Sequence, residues 1–169
     1  MVFMETIEVN KKALEKRKKE LKASRYNTYN LCSVIGLSVF FCFLTYFIVM
    51  RAVGLHEVFI LRYFNFMFLL AGILFALLKE SREIGNEFSY RKGLQIGTFI
   101  TLISVIPFSV FLYFYLSTDD TFMNLVKEST EVKEFISPGT ITSLICIEGI
   151  SSGEIITFVL MQFFKKKVN

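Results

Sequence analysis

Apolar and polar positions along the chain separate into four long apolar blocks divided by charged stretches. Residues 31–50 carry no charge; as a helix they reach about 30 Å, one hydrocarbon thickness. Residues 58–78 are interrupted only by Arg62 and Asn65. Residues 94–117 contain Pro107 and no ionisable group other than tyrosine, and residues 139–164 contain Glu148 and Glu154. No block shows the short apolar/polar alternation of a membrane β-barrel strand. The pattern predicts an all-α fold, a four-span transmembrane helical bundle over residues 31–164.

Two further elements are predicted outside the spans. Residues 1–30 read as a basic cytoplasmic N-terminal helix, with Glu8/Lys12 and Glu15/Lys19 as favourable pairs one turn apart. Phe122, Leu125, Val126, Phe135 and Ile136 recur near helical spacing, which predicts a short outer interfacial helix, started by Asp119 or Asp120. Ser137-Pro138 fits the opening of the fourth span, Ser as cap and Pro at the first helical position. Pro107 removes a backbone donor and is expected to kink the third span, exposing the carbonyl of Ile103, with Ser104 or a packed helix as compensation.

Composition sharpens this picture. Hydrophobic residues make up 53% of the 169, charged residues 20%, and mean hydropathy is +0.52. That excludes an ordinary soluble domain, a disulfide scaffold and a disordered chain. The placement of charge sets an orientation. Eight Lys/Arg precede the first span, four lie between the second and third, and three (Lys165, Lys166, Lys167) form a basic tail over residues 165–169. The other side has Arg51, Lys127 and Lys133, with Arg62 close to it. Both termini are therefore expected in the cytoplasm. The charged N-terminal region is too long, and the apolar run after it too long, for a cleavable leader.

Candidate chemistry is confined to the membrane. Glu148 and Glu154 lie near the middle of the fourth span with Ser151 and Ser152 between them. A charged side chain at that depth costs about 2.5–3.5 kcal/mol on insertion scales, so both must face protein or water, pair with a cation, or hold a proton. Six residues separate them, which is about 120° around a helix, so they do not share a face. Arg62 is the natural partner for Glu148, with Arg51 as a second candidate. Glu154 has no basic residue at its depth and is expected to be the one that holds a proton. Two readings stand: hydrogen-bonded glutamates that hold the bundle together, or an ion, proton or substrate site. Gly149/Gly153 and Gly93/Gly97 are small-xxx-small pairs for close helix packing, with Gly36, Ala71 and Gly72 as matching notches. Tyr46, Tyr63, Tyr113 and Tyr115 fit as interface anchors or partners of the glutamates.

Cys32, Cys42 and Cys146 lie in apolar blocks without a C-x-x-C pair and are expected as buried packing residues. One histidine, His56, does not make a zinc site. No phosphate loop, hydrolase elbow, zinc-protease or dinucleotide motif is present, and the basic segment has no nucleic-acid-binding context. The expectation is a non-enzymatic chain with no cofactor, no metal and no nucleic-acid partner.

From about Tyr26 to Lys167 the chain resembles an uncharacterised family of small four-helix integral membrane proteins of Bacteroidetes. The resemblance rests on Ile147-Glu148-Gly149 followed by Gly153 and a closing Phe-Lys-Lys-Lys, on Arg62-Tyr63 with Gly72-Ile73, and on Gly93/Gly97. It implies a bacterial inner-membrane location and no catalytic activity. The expected function is an accessory or assembly subunit, in a homo-oligomer or membrane-protein complex, with the N-terminal helix as a docking element for a cytoplasmic partner. The alternative is a small dimeric proton- or ion-coupled transporter or channel built on Glu148 and Glu154.

Overall fold

The computed structural model describes residues 2–53, 63–84, 88–119 and 137–165, with side chains from Asn27 onward except those of residues 63, 84 and 165. The described residues form four helices and no strand: α1 Val2–Val53, α2 Tyr63–Ile84, α3 Tyr90–Thr118 and α4 Pro138–Lys165. Each is long and apolar enough to cross a membrane. The fold is all-helical and compatible with a multi-pass membrane protein.

The boundaries depart from expectation where charge was mistaken for an end. The helix α2 runs to Ile84, a turn and a half beyond Leu78, because Lys79 to Glu83 are good helix formers. The basic N-terminal segment does not stand apart. It is the leading part of a 52-residue helix with one glycine and no proline to break it, about 78 Å long. The expected outer interfacial helix falls on residues outside the description. At the head of α3, Ser89 is extended and its side chain accepts a hydrogen bond from the Lys92 amide. At the head of α4, the Ser137 hydroxyl accepts one from the Thr140 amide at 3.1 Å, ahead of Pro138.

Packing places α3 at the centre. Of its span 44% is buried, against 22% for α4 and 28% for α1 and α2. Its apolar contacts to α1 include Phe43–Phe108, with ring centroids 5.4 Å apart, and Phe47 against Phe111 and Tyr115. Gly36 lets α1 approach so closely that an added Cβ would come within 2.8 Å of Ile103. Gly72 does the same for α2 against Val39 of α1, while Ala71 is exposed and packs as no notch. Tyr46 rests on Phe64 and Phe68 of α2.

The outward faces carry large exposed side chains such as Val34, Phe114 and Phe163, which lipid tolerates and water does not. Exposed hydroxyls on these faces turn back on their own helix. Ser33, Ser38, Thr45, Ser117 and Thr118 each donate to the carbonyl four residues earlier, as a polar group without water requires.

The helix α3 passes through Pro107 without interruption. Ser104 does not compensate at Ile103: its hydroxyl donates to the carbonyls of Ile100 at 2.9 Å and Thr101 at 3.1 Å. Of the cysteines only Cys32 is buried. Cys42 points outward and Cys146 is half-buried, so burial as small packing residues describes one of the three.

Candidate functional site

The antiparallel seam between α3 and α4 is built from steps of four residues on each helix. Gly93 faces Met161, Gly97 faces Thr157, Thr101 faces Gly153, and Val105 faces Gly149. Every rung sets one glycine against one larger side chain, and the glycine changes helix halfway. A Cβ at Gly97 or Gly153 would come within 2.7 or 2.8 Å of the opposing threonine Cβ. The threonine hydroxyls do not cross the seam. Thr101 donates to the Gly97 carbonyl and Thr157 to the Gly153 carbonyl, and both the hydroxyl and the methyl of each threonine border the facing glycine.

This seam orients the two acids of α4. Glu154 is half-buried beside α3, where the Thr98 hydroxyl donates to its carboxyl at 3.1 Å. Glu148 is exposed, on the side of α4 that also shows Leu144, Ile147, Ser151 and Ile155. Ser152 is half-buried. The structure therefore does not bring Glu148, Ser151, Ser152 and Glu154 together in one pocket. Arg62, expected beside Glu148, lies outside the described residues. Arg51 is instead paired with Asp119 at the end of α3. Its guanidinium lies 5.0 Å from the centre of the Tyr115 ring, whose hydroxyl donates to the same carboxylate at 3.1 Å. Tyr113 is exposed, and the side chain of Tyr63 is outside the description.

A polar cluster at the other end of the bundle escaped sequence reasoning. Glu80 of α2 is 2% exposed. One carboxylate oxygen accepts from the Thr28 hydroxyl at 2.5 Å and pairs with the Lys92 ammonium at 2.9 Å. The cluster ties α1, α2 and the first turn of α3 together where α2 ends and α3 begins. The signal for it was periodicity. Leu69, Ile73, Ala76 and Leu77 are buried, and Glu80 is the next member of that stripe, three and four residues on. Beside the cluster a cavity of about 440 Å³ opens between α1 and α3, lined by Tyr29, Cys32, Ser89, Arg91, Gln95 and others.

Among the described residues no three His, Cys, Asp or Glu side chains converge as metal ligands do. The amide oxygen of Asn65, one of the two polar interruptions of the second block, is buried without a hydrogen-bond partner. Comparison with known families, curated proteins and solved structures finds no match for this chain.

Proposed function

We propose that this protein is an accessory or assembly subunit of a membrane complex, resident in a bacterial inner membrane with both termini in the cytoplasm, which docks another membrane protein on the outward face of α4. One observation carries this reading: Glu148 and Ser151 sit exposed among Leu144, Ile147 and Ile155, at least ten residues from either end of the helix. A carboxyl on an exposed face at mid-depth carries an insertion cost of about 2.5–3.5 kcal/mol, which favours covering that face with protein. The partner this face suits is a helix carrying a basic or hydrogen-bonding side chain at mid-depth. Interhelical contacts of that kind contribute about 0.6–2 kcal/mol each in membranes. The orientation follows from fifteen Lys/Arg against four.

The test is purification in mild detergent with native mass measurement, together with cross-linking from Ser151→Cys. A stable complex with a different membrane protein, cross-linked at position 151 and weakened by Glu148→Gln, supports the assignment.

The pairing of Glu154 with the neutral Thr98 hydroxyl favours a second reading, a proton-coupled transporter acting as a dimer. A half-buried carboxyl between α3 and α4 is a group that a path across the membrane could use. A homodimer whose proteoliposomes move protons, with movement abolished in Glu154→Gln, would transfer the assignment to it.

A further inference from the structure

Two cavities on the α1/α3 seam share one residue and differ in character. The first, about 440 Å³, is lined on α3 by Ser89, Arg91, Lys92 and Gln95, and on α1 by Thr28 and Cys32. Among the described residues no acidic side chain lines it. Glu80 lies behind Lys92 and meets its ammonium, so two cations stand against one carboxylate and Arg91 is exposed. Tyr29 and Phe99 meet edge to face, 5.4 Å between centroids, and both line this cavity. The second cavity, about 430 Å³, is a groove lined by Phe99 again and by Leu37, Phe40, Ile103, Ile106 and Pro107 among others. All of its lining residues are apolar.

Depth gives the pair a meaning. The 29 residues of α3 measure about 43 Å, the thickness of a bilayer with both headgroup layers. The first turn of α3, with Arg91 and Lys92, then lies in a headgroup layer. Phe99 to Pro107 covers about 12 Å and ends about 4 Å past the midplane, so the groove spans the depth at which an acyl chain ends.

From this arrangement we infer that the α1/α3 seam binds one anionic phospholipid, its phosphate among Arg91, Ser89 and Gln95 and one acyl chain along Phe99, Leu37, Phe40 and Ile106. The shared chemistry is a phosphate monoanion, and the continuous apolar groove assigns it to a lipid rather than to a free ion. The inference rests on the membrane-spanning reading of the four helices and is independent of the docking face of α4.

The test is native mass spectrometry of the full chain in detergent, titrated with phosphatidylglycerol and with phosphatidylcholine of the same chains. Phosphatidylglycerol should be retained preferentially. Arg91→Gln should weaken its retention about fivefold, the effect of one basic residue at an anionic surface, while Arg82→Gln, an equal charge change at an exposed position on α2 outside the cavity, should leave it unchanged. Leu37→Trp, at an exposed position, should fill the groove and reduce retention of the lipid. An excess of inorganic phosphate should not displace it. Equal retention of the two lipids, equal loss in Arg82→Gln, no effect of Leu37→Trp, or displacement by inorganic phosphate would each overturn the proposal. Circular dichroism on each variant confirms that the helices are intact.

Discussion

Replacing Gly153 by alanine tests the seam between α3 and α4 at its tightest. The added methyl would collide with the Oγ1 and Cγ2 of Thr101, and Thr101 is β-branched with few rotamers open to it in a helix. Turning the side chain does not relieve the collision, because the Thr101 Cβ is fixed by the backbone and lies 2.8 Å from the new atom. Ordinary contact begins at 3.4 Å, so the helices must part by about 0.6 Å, and a gap of that size forfeits a quarter to a half of the dispersion energy across the seam. Lipid supplies no hydrophobic force to offset it. Overpacking of this kind costs about 1–3 kcal/mol, and the helix propensity gained from alanine returns about 1 kcal/mol. The net expectation is a loss of up to about 2 kcal/mol, read from the midpoint of unfolding in mixed micelles of rising SDS fraction. Gly93→Ala should cost less, since the atoms it meets belong to the flexible Met161 side chain. Gly139→Ala, whose nearest neighbour is 3.8 Å away, should be nearly neutral. Exchanging the rung, Thr101→Gly with Gly153→Thr, should recover most of what Gly153→Thr alone loses. The reasoning fails if Gly153→Ala unfolds with Gly139→Ala, or if the exchange is no better than the single change.

At the other end of the bundle, Glu80→Ala leaves Lys92 and Thr28 without the carboxylate they share. Removing one partner of a buried pair costs about 3–5 kcal/mol, and the partial exposure of Lys92 puts the expected loss at the low end. Glu80→Gln should lose less in the same SDS titration, because it keeps an acceptor for Thr28. Asp119→Asn should change stability by less than about 1 kcal/mol, since the Arg51 side chain is 39% exposed and exposed pairs contribute little; a loss above 2 kcal/mol would show that this corner is far drier than its exposure indicates. A phosphatase fusion after Asn169 should be inactive and a fluorescent-protein fusion there should fluoresce, as a cytoplasmic C-terminus requires; the reverse pattern would refute the proposed orientation.

The four helices were legible because a bilayer leaves the backbone one economical option, and runs such as 31–50 advertise it by length and lack of charge alone. The ends were less legible. Reading the second block as finished at Leu78 placed Glu80 outside the bundle, although its spacing from Ile73 and Leu77 continues the buried stripe. The glycines of α3 and α4 announced close packing, but spacing within a helix says nothing of what stands opposite. That Gly97 meets Thr157 rather than another glycine is a fact of two helices, not of one. Arg51 illustrates the same limit. Its charge suggested a partner inside the membrane, and the carboxylate it meets is 68 residues away in sequence, where a different helix ends.

The alternation of glycine and bulk between α3 and α4 works like the cuts of a key, which turn a lock at one depth only. Sliding α4 by one step of about 6 Å in one direction would set Thr157 against Thr101, bulk on bulk. Sliding it the other way would leave Gly153 over Gly97, an empty slot, and press Val105 on Ile145. Neither slide preserves the seam, so a change of shape that keeps it intact carries α3 and α4 together.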